Sequence, residues 1–488
     1  MFKRPTKKQL LIRRIITYTV MIAAVIVIVS GTILFILGYR LDSDKGRLEQ
    51  GALVQFDSRP NGAVVSIDRK SISANTPSKQ TVVAGTHQFS VSKTLYETWN
   101  KTQSIKAGTL EWFDYIRLVP KDLKLESVAS YQTVVGEIAS PDLKWLLVQE
   151  KTDTPSFQLV DLRSQQTKSS VLTLPVTSYS EAVVEGVKHS FAMESWDQDG
   201  RYVIVKHTFN DKSEYIVVDT QDVAKTINVS TLLGITLTEL QFSGTSGSAL
   251  YGLTDGVIRK LDLSNATISR GLVTNLTAFN MFDNTIVTYV GTDPVNPALK
   301  VVGMYREGDE LPRVLRSVEE PSTPLSIAAT RYQNENYIAI AEGVKVTLLA
   351  GRYPASTDTE NSSLKVYAEF KAAATIDSLS FSDEGDHLVV QSGLKFTSYE
   401  IEYMRQSFST VTTIETSAHT LRWLDNAYLW AIYDGQLSIR EFDGLNTHVI
   451  MPMEPGFDAT LSQNGKYIYG IAKNKTGYQL QRVTMILD

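Results

Sequence analysis

SPDLKWLLV, residues 140–148, is a polar turn followed directly by a short apolar strand. Ser140, Pro141 and Asp142 favour a turn, because Ser and Asp side chains bond to nearby backbone groups and Pro restricts φ. Trp145 and the three apolar residues after it are typical of a buried strand. The same kind of turn and strand recurs near the other end of the chain as SQNGKYIYG, residues 462–470. The sequence between these two stretches is therefore expected to be all-β and repetitive.

The turn-and-strand pattern recurs eight times between residues 121 and 488. The turns are rich in Ser, Asp, Asn and Gly, and they lie at 140–142, 197–200, 243–247, 283–284, 334–336, 382–385, 425–426 and 462–465. The strands that follow open near Trp145, Tyr202, Leu250, Ile286, Tyr337, Leu388, Tyr428 and Tyr467. Their mean separation is about 46 residues, and a propeller blade takes roughly 40 to 50. The pattern predicts a β-propeller of seven or eight blades, with eight favoured, because two stacked β-sandwiches would not repeat one turn at one period.

Alternating runs follow several of these strands and are expected to form the third strand of a blade. They lie at 157–162, 215–219, 258–262 and 437–443. The two stretches quoted above resemble the repeats of TolB-type and dipeptidyl-peptidase-type propellers, and neither contains the Trp-Asp dipeptide of WD repeats. The resemblance covers residues 123–488 and implies a propeller fold. It does not extend to an α/β-hydrolase domain, because only three residues follow the last predicted strand, 478–485.

The last predicted blade lacks its outermost strand. The segment LKLESVAS, residues 123–130, alternates as a strand and precedes the first blade's own inner strand near 134–139. We expect this segment to pair with the last blade, since pairing would remove two exposed strand edges.

A smaller all-β domain is predicted at residues 51–120. Four short runs alternate apolar and polar residues, at 53–56, 63–67, 87–91 and 115–118. The stretch RPNGAVVSID (59–68), Thr76-Pro77, AGTH (84–87), Tyr96 and Trp99 together resemble the PEGA domain, a small β-sandwich found on bacterial surface proteins. The sequence departs from that pattern at turn positions 61, 69 and 74. Trp99 and Trp112 are candidates for stacking on a sugar, although packing in the core is the alternative.

Residues 15–38 are predicted to be a transmembrane signal-anchor helix. They contain no charged residue, and 24 helical residues reach about 36 Å, enough to cross a hydrocarbon core of about 30 Å. A core helix of this length would have an amphipathic break, and a cleaved signal peptide has a shorter apolar part. Six basic residues and no acidic residue precede the helix, so residues 1–14 are expected to be a cytoplasmic tail. Residues 39–50 are expected to be a short polar tether, and both β domains to lie outside the cytoplasm.

Composition excludes several classes of function. Six of the 48 basic residues precede residue 15, so 42 remain against 53 acidic residues, a net charge of −11. This balance argues against binding nucleic acid or anionic lipid. The chain has no cysteine, which excludes a Cys nucleophile, a zinc knuckle, an iron–sulfur cluster and a lipoprotein anchor.

No motif in the sequence predicts a catalytic, metal or cofactor site. DQDG (197–200) and DEGD (383–386) resemble calcium loops, but they lack the required oxygen spacing and coincide with blade turns. The six histidines, at 87, 189, 207, 387, 419 and 448, never take zinc-site spacing. GTSGS (244–248) lacks the final Gly of a nucleophile elbow, and no Gly-rich phosphate loop occurs. Glycosidase-type carboxylate pairs would come from different blades, so the sequence leaves them open.

The predicted function is therefore binding. The longest segments between predicted strands, 164–196, 306–323 and 350–364, are expected to project from the propeller, where binding sites commonly lie. We interpret the chain as a single-pass, non-catalytic cell-envelope protein that binds or scaffolds an envelope protein or a cell-wall glycan, with no nucleic acid and no small-molecule cofactor; which residues bind stays open. The alternatives are an extracytoplasmic propeller hydrolase or lyase acting on glycan or peptide, and a structural surface-layer component.

Overall fold

The computed structural model describes residues 7–36, 38–42, 47–163, 165–319, 322–355, 358, 361, 363–411 and 420–487. The chain divides into two compact units, Met1–Lys121 and Asp122–Asp488.

The first unit begins with a single long helix, α1 (Lys7–Ile36). Within it, Leu11–Leu34 is long and apolar enough to cross a membrane, with a mean hydropathy of 2.2. The most apolar 18 residues of this stretch are not buried by other parts of the protein. The helix starts eight residues before the predicted span, because the preceding Lys, Gln, Leu and Arg residues are good helix formers.

Eight strands form a two-sheet sandwich after the helix. They are β1 (Tyr39–Asp42), β2 (Arg47–Arg59), β3 (Val64–Ile67), β4 (Lys70–Asn75), β5 (Ser78–Val83), β6 (Gly85–Ser92), β7 (Trp99–Ile105) and β8 (Leu110–Arg117). One sheet has the order β1-β2-β5, with β8 also paired to β2, and the other has the order β4-β3-β6-β7. Phe56, Phe89, Trp99 and Phe113 fill the space between them, with ring centroids 5.1–5.7 Å apart. The predicted sandwich is confirmed, and Trp99 belongs to its core.

The segment expected to be a tether, residues 39–50, is largely strand. β1 pairs antiparallel with the start of β2, so that Tyr39 lies opposite Gln50 and Asp42 opposite Arg47. The polar character of this segment led to the tether interpretation, but backbone hydrogen bonds to a neighbouring strand need no apolar side chains. Residues 43–46, which join the two strands, lie outside the described residues.

The second unit opens with β9 (Leu125–Tyr131) and continues through blades 1 to 4. Blade 1 contains β10 (Gly136–Ala139), β11 (Trp145–Gln149), β12 (Ser156–Asp161) and β13 (Lys168–Thr173). Blade 2 contains β14 (His189–Trp196), β15 (Tyr202–Phe209), β16 (Lys212–Asp219) and β17 (Ile227–Asn228), and a 3₁₀ turn (Val223–Lys225) precedes β17. Blade 3 contains β18 (Glu239–Phe242), β19 (Ala249–Thr254), β20 (Val257–Asp262) and β21 (Thr267–Ile268), and α2 (Val229–Leu233) precedes it. Blade 4 contains β22 (Leu276–Met281), β23 (Ile286–Thr292), β24 (Lys300–Arg306) and β25 (Arg313–Val318).

Blades 5 to 8 repeat the four-stranded sheet. Blade 5 contains β26 (Leu325–Tyr332), β27 (Glu335–Glu342), β28 (Lys345–Gly351) and β29 (Leu364–Lys371). Blade 6 contains β30 (Ser378–Phe381), β31 (His387–Ser392), β32 (Lys395–Glu400) and β33 (Arg405–Thr410). Blade 7 contains β34 (Arg422–Trp423), β35 (Tyr428–Tyr433), β36 (Gln436–Glu441) and β37 (His448–Pro452). Blade 8 contains β38 (Thr460–Leu461), β39 (Tyr467–Asn474), β40 (Gly477–Thr484) and, as its fourth strand, β9.

The eight sheets confirm the predicted propeller and select eight blades. Each of the eight positions predicted for the start of a strand lies within two residues of the first residue of a blade's second strand. These second strands are apolar over most of their length because both faces of each blade pack against neighbouring blades; in β31 every residue is buried. The first strands of neighbouring blades contact each other, β10 with β14 and β26 with β30, so they are the innermost strands.

The predicted closure is also confirmed. β9 pairs antiparallel with β40, which places Tyr131 opposite Tyr478 and Leu125 opposite Val483. The last blade therefore receives its outermost strand from the beginning of the same unit.

Candidate functional site

A cavity of about 370 Å³ lies along the innermost strands of blades 2, 3 and 4 and the turns that follow them. We call it the inner-strand cavity. Its polar lining includes Glu194, Gln198, Glu239, Gln241, Asn280 and Asp283. Alternation along each strand brings these residues together: in β18, Leu240 and Phe242 are buried in the core shared with blade 2, whereas Glu239 and Gln241 are half-buried on the other side.

Gln241 holds one wall of this cavity in place. Its Nε2 donates to Glu239 Oε1 at 2.6 Å and to the backbone oxygen of Phe279 at 2.9 Å. Its Oε1 accepts from the backbone nitrogen of Met281 at 3.1 Å. The amide thus connects blade 3 to blade 4 while it orients the carboxylate of Glu239. A second glutamine, Gln149, makes the corresponding bond from blade 1 to Phe191 O of blade 2 at 2.7 Å.

The cavity is acidic, and its carboxyl groups influence each other. Burial raises the pKa of Glu239, the hydrogen bond from Gln241 opposes that change, and the negative charge of Glu194 acts in the same direction as burial. Asp283, at the rim, forms an ion pair with Arg331 of blade 5 at 3.0 Å. The cavity therefore offers hydrogen-bond acceptors and negative charge to a ligand, which suits hydroxyl groups and amines.

Two aromatic residues give the cavity a rigid apolar part. Trp196 is 7% exposed, and its Nε1 donates to the backbone oxygen of Ile138 at 3.1 Å. The guanidinium carbon of Arg331 lies 5.7 Å from the ring centroid of Phe282. A few oriented polar groups beside fixed aromatic rings are typical of a small binding site.

A second acidic group lies on the innermost strand of blade 1. Glu137 is 9% exposed, and its Oε1 accepts from the backbone nitrogen of Asp458, in blade 8, at 2.5 Å. Its buried Oε2 has no hydrogen-bond partner among the described residues. Burial raises the pKa of Glu137 to about 8, against a smaller opposing effect of the Arg422 charge. Arg422 of blade 7 is itself ion-paired with Asp458. The raised pKa favours the protonated form of Glu137, which can donate a proton.

Two histidines that are 18 residues apart in sequence meet in blade 2. His189 Nδ1 lies 2.9 Å from His207 Nε2, and His207 Nδ1 lies 2.9 Å from Glu214 Oε1. Glu214 also accepts from Ser180, from its backbone nitrogen at 2.7 Å and from its hydroxyl at 2.6 Å. Burial would raise the pKa of Glu214, but the hydrogen bonds from His207 and Ser180 outweigh it and lower the pKa to about 2.

Residues 189 and 207 do not have zinc-site spacing, so the prediction from spacing did not concern this contact. Local spacing could not reveal the pair, because His207 lies opposite Phe191 in the β14–β15 ladder and so comes beside His189 only through strand register. Finding the pair would have required recognition of residues 189–196 as a strand next to β15, whereas these residues were expected to belong to a projecting segment. The histidine–carboxylate chain ties Ser180, in the segment between β13 and β14, to blade 2.

The stretches that resemble other sites are turns. Asp197 Oδ1 accepts from the backbone nitrogens of Arg201 and Tyr202 at 2.7 and 2.8 Å. Asp386 bonds to His387 Nδ1 at 2.8 Å and to the Ser382 hydroxyl at 2.9 Å. Among the residues that the structure describes, no three His, Cys, Asp or Glu side chains form a group that could hold a metal ion.

The segments predicted to project are shorter than expected. Residues 164–196 contain β13 and β14, and residues 306–323 contain β25, so only 174–188 and the short flanks of β25 join strands there. Charged and small residues hid β13 and β25, which lie at the outer edge of a blade where apolar side chains are not required. Residues 352–363 join β28 to β29, and part of this segment lies outside the described residues.

Comparison with known proteins identifies the smaller domain and a set of propellers. The family model described as "PEGA domain" matches residues 52–120. No curated protein matches the chain. Solved structures that it resembles include the C-terminal WD40 domain of Sif2, with 14% identity, 75% of this chain and 99% of that chain covered, and a TM-score of 0.47.

Two further structures have similar coverage. The β-propeller domain of Myceliophteria thermophila Cps50 (Swd1) is 10% identical, covers 74% of this chain and 99% of its own, and has a TM-score of 0.40. Oligogalacturonate lyase in complex with manganese is 9% identical, covers 73% of this chain and 98% of its own, and also has a TM-score of 0.40. Identities this low carry no information about ligand or chemistry.

Proposed function

We propose that this chain is a bacterial cell-envelope protein, anchored by α1 as a single-pass signal-anchor with its N-terminus in the cytoplasm. Its PEGA domain and TolB-type propeller would then lie outside the cytoplasm. The six basic residues before residue 15 support this orientation, because positive charge is retained on the cytoplasmic side. Protease added to intact cells or spheroplasts is expected to digest the propeller. Protection of the C-terminus until the membrane is lysed would contradict the orientation.

The proposed role of the propeller is non-catalytic binding of an envelope partner, either a protein or a cell-wall glycan. The observation that carries this proposal is the inner-strand cavity, which combines oriented acceptors, negative charge and a fixed aromatic wall. Innermost strands are held by packing on both sides, so such a site is preorganised for a ligand. Ammonium and hydroxyl groups of a glycan or a basic protein segment are the chemistry that this lining accepts.

The test is retention of the full chain, in detergent, on purified peptidoglycan and on immobilised envelope proteins. The double variant E194Q/E239Q removes both negative charges of the cavity while it keeps the shape of the side chains. We expect it to lose most of the retention, and retention of the unaltered chain to weaken with salt. E335Q, an exposed acid in blade 5, is the matched control. Equal retention of all three chains would contradict the proposal.

Glu137 favours a second candidate, an extracytoplasmic hydrolase or lyase acting on glycan or peptide. A carboxyl group whose pKa is raised to about 8 is a possible general acid at neutral pH. In the preferred proposal Glu137 has a structural role, because its side chain joins blade 1 to blade 8 through the hydrogen bond from Asp458. Screening of glycan and peptide substrates is expected to give no turnover, and turnover abolished by E137Q alone would select the enzyme instead.

A further inference from the structure

The first sheet of the PEGA domain carries exposed apolar side chains at one end of its outer face. The core face of this sheet contains Val54, Phe56 and Phe113, which are at most 1% exposed. On the opposite face, Val83, Leu110 and Trp112 are 46%, 45% and 47% exposed. We define the apolar end as Leu53, Val83, Leu110 and Trp112.

Strand register shows that these four residues share a face. Gly51 lies opposite Val83, and Leu53 lies beside Leu110 in the parallel pairing of β2 with β8. Trp112 lies two residues after Leu110 in β8, beside Gln55, and therefore points to the same face. Beyond it, the same face carries Asp57 and Asp114. Along the strands the outer face therefore changes, over roughly 20 Å at about 3.4 Å per residue, from the apolar end through Lys79, which lies opposite Gln55, to an acidic end with Asp57 and Asp114.

The apolar end lies where α1 joins the sheet. α1 ends at Ile36, and the backbone oxygen of Gly38 accepts from Gly51 N at 2.9 Å. Gly51 O in turn accepts from Gly108 N at 3.0 Å, two residues before Leu110. A Cβ on Gly51 would lie 2.7 Å from Thr81 Cγ2, so only glycine permits this close packing of strands. Val83 and Leu110 thus flank the point at which the chain leaves the helix.

The direction of β2 determines how the sheet can lie relative to a membrane crossed by α1. β2 runs from Arg47 past Gly51 to Arg59, so it extends on both sides of the residue that bonds to Gly38. If β1 ran straight away from the bilayer, the eight residues after Gly51 would run back through it for about 27 Å. That path would place Asp57 and Arg59 in hydrocarbon, at a cost of several kcal/mol each. The strands must therefore run along the membrane surface.

We propose that the apolar end of the outer face lies in the interfacial layer of the bilayer that α1 crosses. This inference rests on the proposed anchoring by α1. Tryptophan favours the interfacial layer because its ring is apolar and its Nε1–H is polar. The acidic end, with Asp57 and Asp114, is directed toward water. The PEGA domain is thereby held flat against the membrane rather than free on a tether.

Because the chain contains no cysteine, a single introduced cysteine can be labelled selectively. Single-cysteine variants of the full chain carry a nitroxide and are reconstituted in nanodiscs of phosphatidylethanolamine and phosphatidylglycerol. Spin relaxation by oxygen, which concentrates in lipid, is compared with relaxation by a water-soluble nickel chelate. The probes are L110C and V83C at the apolar end. The matched controls are D57C, at the acidic end of the same face, and S73C, an exposed residue of β4 in the other sheet.

We expect the oxygen-to-nickel accessibility ratio to be several-fold higher at L110C and V83C than at D57C and S73C. V25C, in the middle of α1, tests the anchoring separately. A high ratio at V25C with water-like ratios at L110C and V83C would overturn this inference and leave the anchoring intact. A water-like ratio at V25C would overturn both. Low accessibility of L110C and V83C to both reagents would indicate a protein contact and would also overturn it.

Discussion

Arg482, in β40, donates through its Nε to Glu126 Oε2, in β9, at 2.9 Å, although 356 residues separate them. The contact joins the two ends of the propeller unit within one sheet. Arg482 is 10% exposed and its guanidinium carbon lies 4.1 Å from the ring centroid of Tyr467. Closure of the propeller therefore combines a backbone ladder with an ion pair over an aromatic ring.

The ladder is expected to contribute more than the ion pair. A truncated chain that begins at Val134 lacks β9 and leaves β40 as an unpaired edge, whereas one that begins at Val119 retains it. We expect the shorter chain to melt at a lower temperature and to aggregate faster, because an open edge pairs with other chains. Thermal unfolding and light scattering measure both effects. Coincident melting of the two chains would show that closure does not depend on β9.

Replacing Glu126 tests the ion pair alone. Glu126 is 47% exposed, so E126Q is expected to lower the free energy of unfolding by about 0.5 kcal/mol, the usual size for a surface pair. R482A should cost more, since it also removes packing against Tyr467. Denaturant titration of the two variants distinguishes these contributions. A larger loss in E126Q than in R482A would contradict this assignment.

Glu137 should make stability fall as pH rises. Its pKa is about 8 in the fold against an ordinary value of 4.5 for a glutamate, so the folded state holds a proton that the unfolded chain releases. Stability is therefore fully present below about pH 4.5 and is lost as pH rises toward 8. E137Q should flatten this slope and be more stable than the unaltered chain at pH 8 by roughly 4 kcal/mol, since each unit of pKa shift is worth about 1.4 kcal/mol. Melting curves from pH 5 to 8 provide the measurement, with E194Q as a control; a slope unchanged in E137Q would refute it.

Glu214 should have the opposite effect in acid. Its pKa is about 2 in the fold against an ordinary value of 4.5 for a glutamate. Its carboxylate therefore stabilises the protein above about pH 4.5, and this contribution is lost as pH falls toward 2. The effect should be roughly 2 kcal/mol after allowing for solvent screening. Hydrogen exchange of blade 2 between pH 5 and 3 measures it. E214Q should abolish this pH dependence. E181Q is the control and should retain it, because the Glu181 carboxylate accepts from Asn210 at the surface.

The propeller could be predicted because its determinants are local. Each blade repeats a turn of Ser, Asp, Asn or Gly before a strand that is apolar on both sides, as at Ser140 and Trp145. The Ser140 hydroxyl donates to Asp142 and accepts from Trp145 N at 3.0 Å, and Ser462 makes the corresponding bond to Tyr467 N. Turn chemistry and period-two alternation depend on neighbouring residues only, so they can be recognised without a structure.

The candidate site could not be predicted in the same way. Glu239 and Gln241 lie on one strand of blade 3 and Met281 lies in blade 4, and nothing in the sequence near Glu239 indicates that Gln241 bridges to blade 4. The short β1 was missed because it has only four residues, two of which are charged. The projecting segments were overestimated because outer strands such as β13 and β25 carry charged residues.

The sequence by itself determined the apolar helix, the all-β class, the blade period and the segment that closes the last blade. These follow from local hydropathy, alternation and turn residues. Only the tertiary structure decided that His189 and His207 meet beside Glu214 and that Glu137 is buried between blades 1 and 8. The histidines meet because strand register brings distant residues together, and the pKa of Glu137 is raised because neighbouring blades exclude water from its carboxyl group. Both outcomes depend on residues far away in the chain.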